Sequence, residues 1–270
     1  MTIIGHNNPP PDPKETIQKN INRKKPILDR DPLFFQGIPL PSWIELSLID
    51  VCNRACSFCP KSEETIAPNT YQKMSMSLIN KLVEDLKKIN FEGAFCLCGY
   101  GEPMIHKEYL KIINKLGEIG GVEIITNGDM INKKSLLEIY NSKATRLLIS
   151  LYDGPDQLIK FKEMIEDVNI PSDFVILRDR WYSDKVDYGV KLTNRVGTVN
   201  IGNQPEIKNF SNQKCFYTAY QMLIDWNGDV FLCPQDWQRR QTMGNIMQEE
   251  IFNIWKGPIL TKYRKKLLLG

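Results

Sequence analysis

From Trp43 to Ile49 apolar and polar residues alternate in a run rich in strand-formers, and the pattern predicts a strand over 43–49. Downstream, segments with a period near 3.6 alternate with short β-rich runs. They predict helices near 77–89, 107–118, 133–141 and 156–166, and strands at 93–98, 122–126, 146–151, 173–178 and, shorter, near 198–202. Such a rhythm means an α/β fold with a parallel sheet and crossover helices. Six strands with Gly-rich or polar turns after the first four predict an open, partial (β/α)6 barrel rather than a closed eight-stranded one, with chemistry at the carboxyl ends of the strands. After Gly197 the pattern changes. Met222 to Cys233 reads as a β-hairpin around Asn227-Gly228, followed by a helical tail over about 248–269 that carries Ile251, Ile254, Trp255, Leu260 and Tyr263. Residues 1–39 are rich in Pro, Asn and Lys with little periodicity, and read as an arm that is disordered or packs only locally and holds no chemistry. The expected division is an arm over 1–39, a barrel over 40–204 and a small C-terminal extension of β-hairpin plus helix over 205–270.

Composition narrows the function by exclusion. Lys+Arg 35 against Asp+Glu 32 gives a formal charge of only +3, so nothing in the global field calls for nucleic acid or an acidic membrane surface. No apolar run approaches the roughly 20 residues of a membrane helix, and the first residues lack the basic and apolar regions of a signal peptide, so a cytoplasmic location is expected. Seven cysteines is an odd number, which in a reducing compartment points to metal or catalytic chemistry before disulfides.

Three of the seven fall in one segment, Val51-Cys-Asn-Arg-Ala-Cys-Ser-Phe-Cys-Pro60. Cys52, Cys56 and Cys59 would share a face of a helix, but Asp50 and Asn53 are turn formers and Pro60 is a poor helix-interior residue. The segment is therefore expected to be a loop leaving the first strand at the chemical end of the sheet. Three thiolates leave one iron of a [4Fe-4S] cluster without a cysteine, and an open coordination position is a mark of a catalytic metal site. The rival is a zinc site completed by His106 or another cysteine, although structural zinc usually uses paired two-residue spacings.

The Cys52-x3-Cys56-x2-Cys59 spacing, with Phe58 before the last cysteine, resembles the signature of the radical S-adenosylmethionine (radical SAM) enzymes. Gly99-Tyr100-Gly101-Glu102-Pro103 falls after the second strand, where that superfamily carries a glycine-rich Gly-Glu motif; Thr126-Asn127-Gly128 ends the third strand, Ser150 lies in the fourth and Arg178 ends the fifth. The resemblance spans about 43–255 and implies a TIM-like partial barrel with a [4Fe-4S] cluster on the three cysteines. It further implies that the amine and carboxylate of S-adenosylmethionine chelate the open iron, and that reductive cleavage gives a 5′-deoxyadenosyl radical that takes hydrogen from a substrate. Gly99 and Gly101 would let backbone approach the methionyl group and Glu102 would accept from its amine. Tyr100 would belong to the same wall, Phe58 would face adenine, and Asn127, Ser150 and Arg178 would serve ribose and carboxylate.

Cys96 and Cys98 share one face of a strand and read as small buried apolar residues. Cys215 and Cys233 flank the hairpin and, with Asn194-Arg195-x-Gly197 upstream, resemble the SPASM/Twitch extension, in which a later cysteine pair completes an auxiliary [4Fe-4S] cluster. Here no cysteine follows Cys233, so a shortened extension with an absent or incomplete auxiliary cluster is expected, Asp236 being the nearest spare oxygen ligand. Lys262-Tyr-Arg-Lys-Lys266 reads as the solvated face of a helix whose Ile259, Leu260 and Tyr263 pack inward. No acid/base pair stands out; Asp153, Asp179 and Asp225 are weak candidates.

The expected function is that of a radical SAM oxidoreductase or maturase acting on a peptide or protein. The alternatives are a small-molecule (sugar or alcohol) dehydrogenase or epimerase and a non-catalytic metal protein that binds a partner. The absence of a recognisable peptide-docking segment in residues 1–39 favours a small substrate, and the resemblance implies a reductant such as flavodoxin or ferredoxin.

Overall fold

The computed structural model describes residues 2–4, 22–27, 29, 31–56, 58–171, 173–179, 198 and 212–270. Apart from Thr198, the expected strand near 198–202 and Asn194–Gly197 lie outside the described residues. In chain order the strands are β1 (Thr2–Ile4), β2 (Phe34–Phe35), β3 (Ile38–Pro39), β4 (Trp43–Ser47), β5 (Ala94–Cys98), β6 (Gly121–Thr126), β7 (Arg146–Leu151), β8 (Val175–Asp179), β9 (Gln221–Ile224), β10 (Asp229–Phe231) and β11 (Thr242–Asn245). The helices are α1 (Met76–Lys88), α2 (Tyr109–Leu116), α3 (Lys133–Tyr140), α4 (Pro155–Asp167), α5 (Tyr217–Tyr220), α6 (Ile251–Lys256) and α7 (Pro258–Leu269).

Nine strands form one sheet in the order β1-β8-β7-β6-β5-β4-β9-β10-β11. Every pairing from β1 across to β9 is parallel, while β9, β10 and β11 are antiparallel neighbours. Strands β4 to β8 with helices α1 to α4 give the partial TIM-like barrel, and the C-terminal hairpin extends the same sheet from β4. Helix placement follows local chemistry. Ser75 caps α1 by accepting from the Leu78 amide, and Asn132 and Ser135 form a reciprocal capping box on α3. The apolar faces of α1 to α4 cover the outer sheet face, where Leu46, Leu97, Ile124, Ile149 and Leu177 are fully buried.

The alternate residues face inward. Glu45 sits opposite Cys96, Ser47 opposite Cys98, Cys96 opposite Glu123, Glu123 opposite Arg146 and Ser150 opposite Arg178. Barrel interiors are usually filled with branched apolar layers, so an inner layer of carboxylates, thiols and guanidinium groups is a departure with a purpose to be found.

The arm does not pack only locally. Strand β1 pairs with β8 through Thr2↔Ile176, Ile3↔Leu177 and Ile4↔Arg178. A helical turn over 22–27 enters the foot of the barrel, where Arg23 donates to and ion-pairs with the buried Glu123 carboxylate and the Arg146 guanidinium donates to the Arg23 carbonyl at 3.0 Å. Lys24 lies 4.8 Å from the ring centre of Trp43 and 5.6 Å from that of Tyr217. A buried carboxylate needs a cation, and that requirement, absent from any periodicity, brings the arm in.

The helical tail is two helices. Gly257-Pro258 separates α6 from α7, since proline cannot continue the hydrogen bonding of the helix before it. On α7 Leu260 is buried as expected, whereas Ile259 is half exposed and Arg264 is held down, donating to the Thr218 carbonyl at 2.7 Å and stacking 4.1 Å from the Trp255 ring centre.

Candidate functional site

The loop after β4 is pinned at its root. The Asp50 carboxylate accepts from Thr70 Oγ1 and from the Gln72 amide at 3.0 Å, Lys61 Nζ donates to the Asp50 and Pro68 carbonyls, and the Cys52 amide donates to Asn69 Oδ1 at 3.1 Å. Arg54, between the first two cysteines, forks to two loops at once. Its Nε donates to Asp129 at 2.7 Å, and Nη1 and Nη2 donate to the two oxygens of Asp153 at 2.7 and 2.6 Å. These charge-assisted pairs tie the cysteine loop to the ends of β6 and β7. Asp153 is thus an ion-pair partner whose carboxyl is held below the usual range by Arg54, and Asp225 likewise accepts from Arg239 at 2.6 Å. Neither stands free as an acid or base; the Asp179 side chain lies outside the described residues.

The Gly99–Pro103 turn meets this loop from β5. A side-chain carbon on Gly101 would stand 2.2 Å from the Ile49 carbonyl oxygen, and one on Gly99, whose φ is +101°, would stand 2.7 Å from Ser47 Cβ. The close approach that demands glycine is therefore to the chain's own loop root. Glu102 is 3% exposed and accepts from Thr126 Oγ1 at 2.7 Å, the Met104 amide at 3.1 Å and the Asn127 amide at 2.8 Å. Burial outweighs these donors and pushes its carboxyl up to about 7. Asn127 Nδ2 donates to Asn53 Oδ1 at 2.8 Å and to Cys52 Sγ at 3.8 Å, so it supports a cysteine directly.

These elements enclose a cavity of about 340 Å3 lined by all three loop cysteines together with Phe58, Gly99, Tyr100, Gly101, Glu102, Asn127, Ser150 and Arg178. The three loop cysteines and the expected S-adenosylmethionine contacts thus meet in one place, whereas Cys215 and Cys233 do not line it. Phe58 packs against Tyr152 with ring centres 5.6 Å apart. Tyr100 turns its side chain toward the C-terminal part, its hydroxyl donating to the Asp236 carbonyl at 3.0 Å and its ring 4.9 Å from that of Trp237. The cavity also has Glu45, Cys98, Tyr217 and Gln235 on its wall, none of which was expected there. A glutamate inside the otherwise apolar run Trp43-Ile-Glu-Leu was the signal available for Glu45. Cys96 is buried in the small cluster with Trp43 and Ala94 as expected of an apolar cysteine, but Cys98 is half-buried and faces the cavity.

The donor set decides between zinc and a cluster. Both ring nitrogens of His106 are engaged, Nε2 with the Met74 carbonyl at 2.9 Å and Nδ1 accepting from the Glu108 amide at 3.1 Å, so His106 does not complete a zinc site. Among the described residues no three His, Cys, Asp or Glu side chains converge on the spacing of a single ion. A cubane cluster binds each cysteine through a different iron and asks for wider thiol spacing around one hollow. Three cysteines around a cavity beside a supporting Asn127 donor fit such a cluster. At the other end, Cys215 and Cys233 are near enough that charge on one bears on the other. The Asp236 carboxylate, however, caps a turn by accepting from the Arg240 and Gln241 amides at 3.0 and 2.8 Å. Two thiols are half of a four-cysteine shell, and no chemistry is assigned to a second cluster.

Comparison with known proteins agrees. Residues 46–176 match the family model described as the radical SAM superfamily, and residues 215–268 match the SPASM iron-sulfur cluster-binding domain. This chain belongs to the radical SAM superfamily. The radical SAM chain is 27% identical over 233 residues to the S-adenosyl-L-methionine-dependent 2-deoxy-scyllo-inosamine dehydrogenase of Niallia circulans, covering 85% of this chain and 88% of that protein. It is 27% identical over 165 residues to a GTP 3′,8-cyclase of Staphylococcus carnosus, of which it spans 43%. Among solved structures it is similar to BtrN in complex with AdoMet and 2-DOIA, with a TM-score of 0.71 and 26% identity over 86% of this chain and 89% of that one. SuiB of Streptococcus suis bound to the precursor peptide SuiA gives a TM-score of 0.62 at 15% identity over 94% of this chain and 72% of that one, a likeness of fold. The protein is a radical SAM oxidoreductase whose cofactors are a [4Fe-4S] cluster and S-adenosylmethionine. Among the described residues no helix is long and apolar enough to cross a membrane.

The loop thiols set a pH requirement for loading. Burial and the neighbouring thiols push Cys56 up to about 11, and burial raises Cys52. Both are protonated at neutral pH, and each proton displaced by iron makes loading about tenfold more favourable per pH unit. Iron retained against a chelator is expected to rise between about pH 7 and 9; a flat profile would show that the thiols are already ionised.

Proposed function

We propose that this enzyme oxidises a small polar molecule of the alcohol, sugar or amino-cyclitol class at a carbon that carries both hydrogen and hydroxyl. The observation that carries the proposal is the match along 88% of a dehydrogenase of that class. The expectation of a peptide substrate has only likeness of fold behind it and gives way to the small-molecule alternative. When bound, the cluster and S-adenosylmethionine supply a 5′-deoxyadenosyl radical that removes a hydrogen atom.

The chain's own residues hold and orient. Cys52, Cys56 and Cys59 would be the cluster ligands. Glu102 Oε2 accepts one protein hydrogen bond and has capacity for another, which suits the methionyl amine. Phe58 would offer its face to adenine, and Asn127, Ser150 and Arg178 would serve ribose and carboxylate from the ends of β6, β7 and β8. The Arg54 forks and the Phe58–Tyr152 contact hold the cysteine loop against the ends of β6 and β7.

The test is anaerobic turnover with 2-deoxy-scyllo-inosamine, simple cyclitols and sugars as probes. The expected result is a ketone formed in step with 5′-deoxyadenosine. Stimulation of 5′-deoxyadenosine by peptides and by none of these compounds would overturn the proposal.

A further inference from the structure

Below the cavity the barrel interior holds a line of titratable groups that binding of cluster and S-adenosylmethionine leaves unused. Cys98 is on the cavity wall at the end of β5. Two residues back on the same face, the Cys96 thiol neighbours the Cys98 sulfur and donates to Glu123 Oε1 at 3.8 Å. Glu123 in turn lines a second cavity of about 260 Å3 at the foot of the barrel, with Gly121, Thr145 and Arg146. One thiol proton on Cys96 therefore lies between two acceptors, a sulfur facing the reaction chamber and a carboxylate facing the opposite end. A barrel filled for stability alone would place branched apolar side chains here.

Resting on the proposed oxidation of a carbinol, we infer that Cys98 is the proton acceptor for the substrate hydroxyl and that Cys96 and Glu123 carry that proton to the foot of the barrel. Removing a hydrogen atom from H–C–O–H leaves a carbon radical with its hydroxyl intact. The O–H bond then breaks, its proton bonds to the Cys98 sulfur, and the oxygen keeps the electron pair; the single electron that leaves to complete the C=O bond goes to a one-electron acceptor of the iron–sulfur class. Cys96 passes its own proton to Glu123, loosening that carboxylate's ion pair with Arg23, and takes one from Cys98, which restores the Cys98 thiolate; Glu123 then gives its proton to water in the foot cavity and re-forms the pair.

The surroundings favour a thiolate at Cys98. The neighbouring Cys96 thiol, the Gly99 amide, Arg178 of β8 and Arg23 of the arm draw it below the usual thiol range, while burial opposes them. Lys24 adds a further positive charge. Glu45 and Glu102 are the carboxyl groups on the same cavity wall, and Glu102 itself is held toward its neutral form by burial. The arm, silent in the sequence, thus supplies the cations that offset the carboxylates of the inner layer.

Two measurements test the inference on the cluster-loaded enzyme. The first is the pH profile of Cys98 alkylation by iodoacetamide, read by peptide mass spectrometry, and it needs no substrate. Its midpoint is expected well below the ~8.5 of an ordinary thiol and should rise by about one unit or more in Cys96→Val. An ordinary or higher midpoint, or one indifferent to Cys96, overturns the inference. The second is the yield of ketone per 5′-deoxyadenosine from 2-deoxy-scyllo-inosamine, expected to fall at least tenfold in Cys98→Ala and in Cys98→Ser. An unchanged yield overturns the role of Cys98. If the unaltered enzyme forms no ketone from any small-molecule probe, it is the substrate reading that fails, and the alkylation profile still decides whether the thiol line exists.

Discussion

Alanine at Cys56 is expected to leave the anaerobically reconstituted protein with almost no bound iron and no formation of 5′-deoxyadenosine above the enzyme-free level, whereas the unaltered protein should bind about four irons per chain. The same is expected of Cys52→Ala and Cys59→Ala, while Cys96→Ala should keep its iron. The contrast follows from position. All three loop thiols line one cavity, and His106, committed to Met74 and Glu108, does not stand in for a missing thiolate. Cys96 faces Trp43, Ala94 and Glu123 on the inner layer below. Losing one of three anchors removes most of the chelate advantage, so the effect is on retention itself. Iron analysis and the electron paramagnetic resonance spectrum of the reduced protein, with and without S-adenosylmethionine, decide it. Four irons and an unchanged spectral response in Cys56→Ala would show that another residue holds the cluster.

The parts of this site that are local in sequence were legible there, and those that depend on distant partners were not. Cysteines at 52, 56 and 59 announce a ligand loop because spacing and flanking turn formers are enough, and the alternation over Trp43–Ser47 gives the strand that presents it. The strand pattern likewise shows which residues share a face, and so places Cys96 and Cys98 together. It does not tell an inward face filled with carbons from one filled with charge. Glu45 was the visible exception, and its meaning depends on Gln221, which donates to it at 3.0 Å from 176 residues away. Arg54 reads as one more solvated charge until Asp129 and Asp153, 75 and 99 residues on, fold against it. Arg23 and Lys24 sit in a segment whose composition signals a loose arm, yet a buried Glu123 brings that segment into the barrel. The break at Gly257-Pro258 was readable from proline chemistry, but the regular spacing of Ile251, Ile254 and Leu260 across it pointed to one helix.

Glu102→Ala is expected to disable the site more thoroughly than loss of any single proposed S-adenosylmethionine contact, because this carboxylate builds the wall it belongs to. It collects Thr126 Oγ1, the Met104 amide and the Asn127 amide, while its own amide donates to the Val51 carbonyl at 2.9 Å, so one residue joins the β5 turn, the end of β6 and the root of the cysteine loop. Truncation leaves three donors facing a hollow. A buried unsatisfied donor costs about 1–3 kcal/mol, but water admitted through the adjoining cavity compensates some of it, so a total near ~3 kcal/mol is expected, seen as a lower denaturation midpoint. The functional loss should exceed the stability loss, since Asn127 is freed from its amide anchor and its side chain steadies both Asn53 and Cys52. S-adenosylmethionine binding and iron retention should therefore fall together. Glu102→Gln separates the two roles: its single carbonyl oxygen still serves the Thr126 and Met104 donors at Oε1, but its amide presents N–H to the Asn127 N–H and to any bound amine. That variant should keep most of its stability and iron while losing S-adenosylmethionine affinity, measured by equilibrium binding. Equal losses in Ala and Gln would mean that the negative charge, rather than the three hydrogen bonds, holds the wall in place; full S-adenosylmethionine affinity in Gln would remove Glu102 from the amine site.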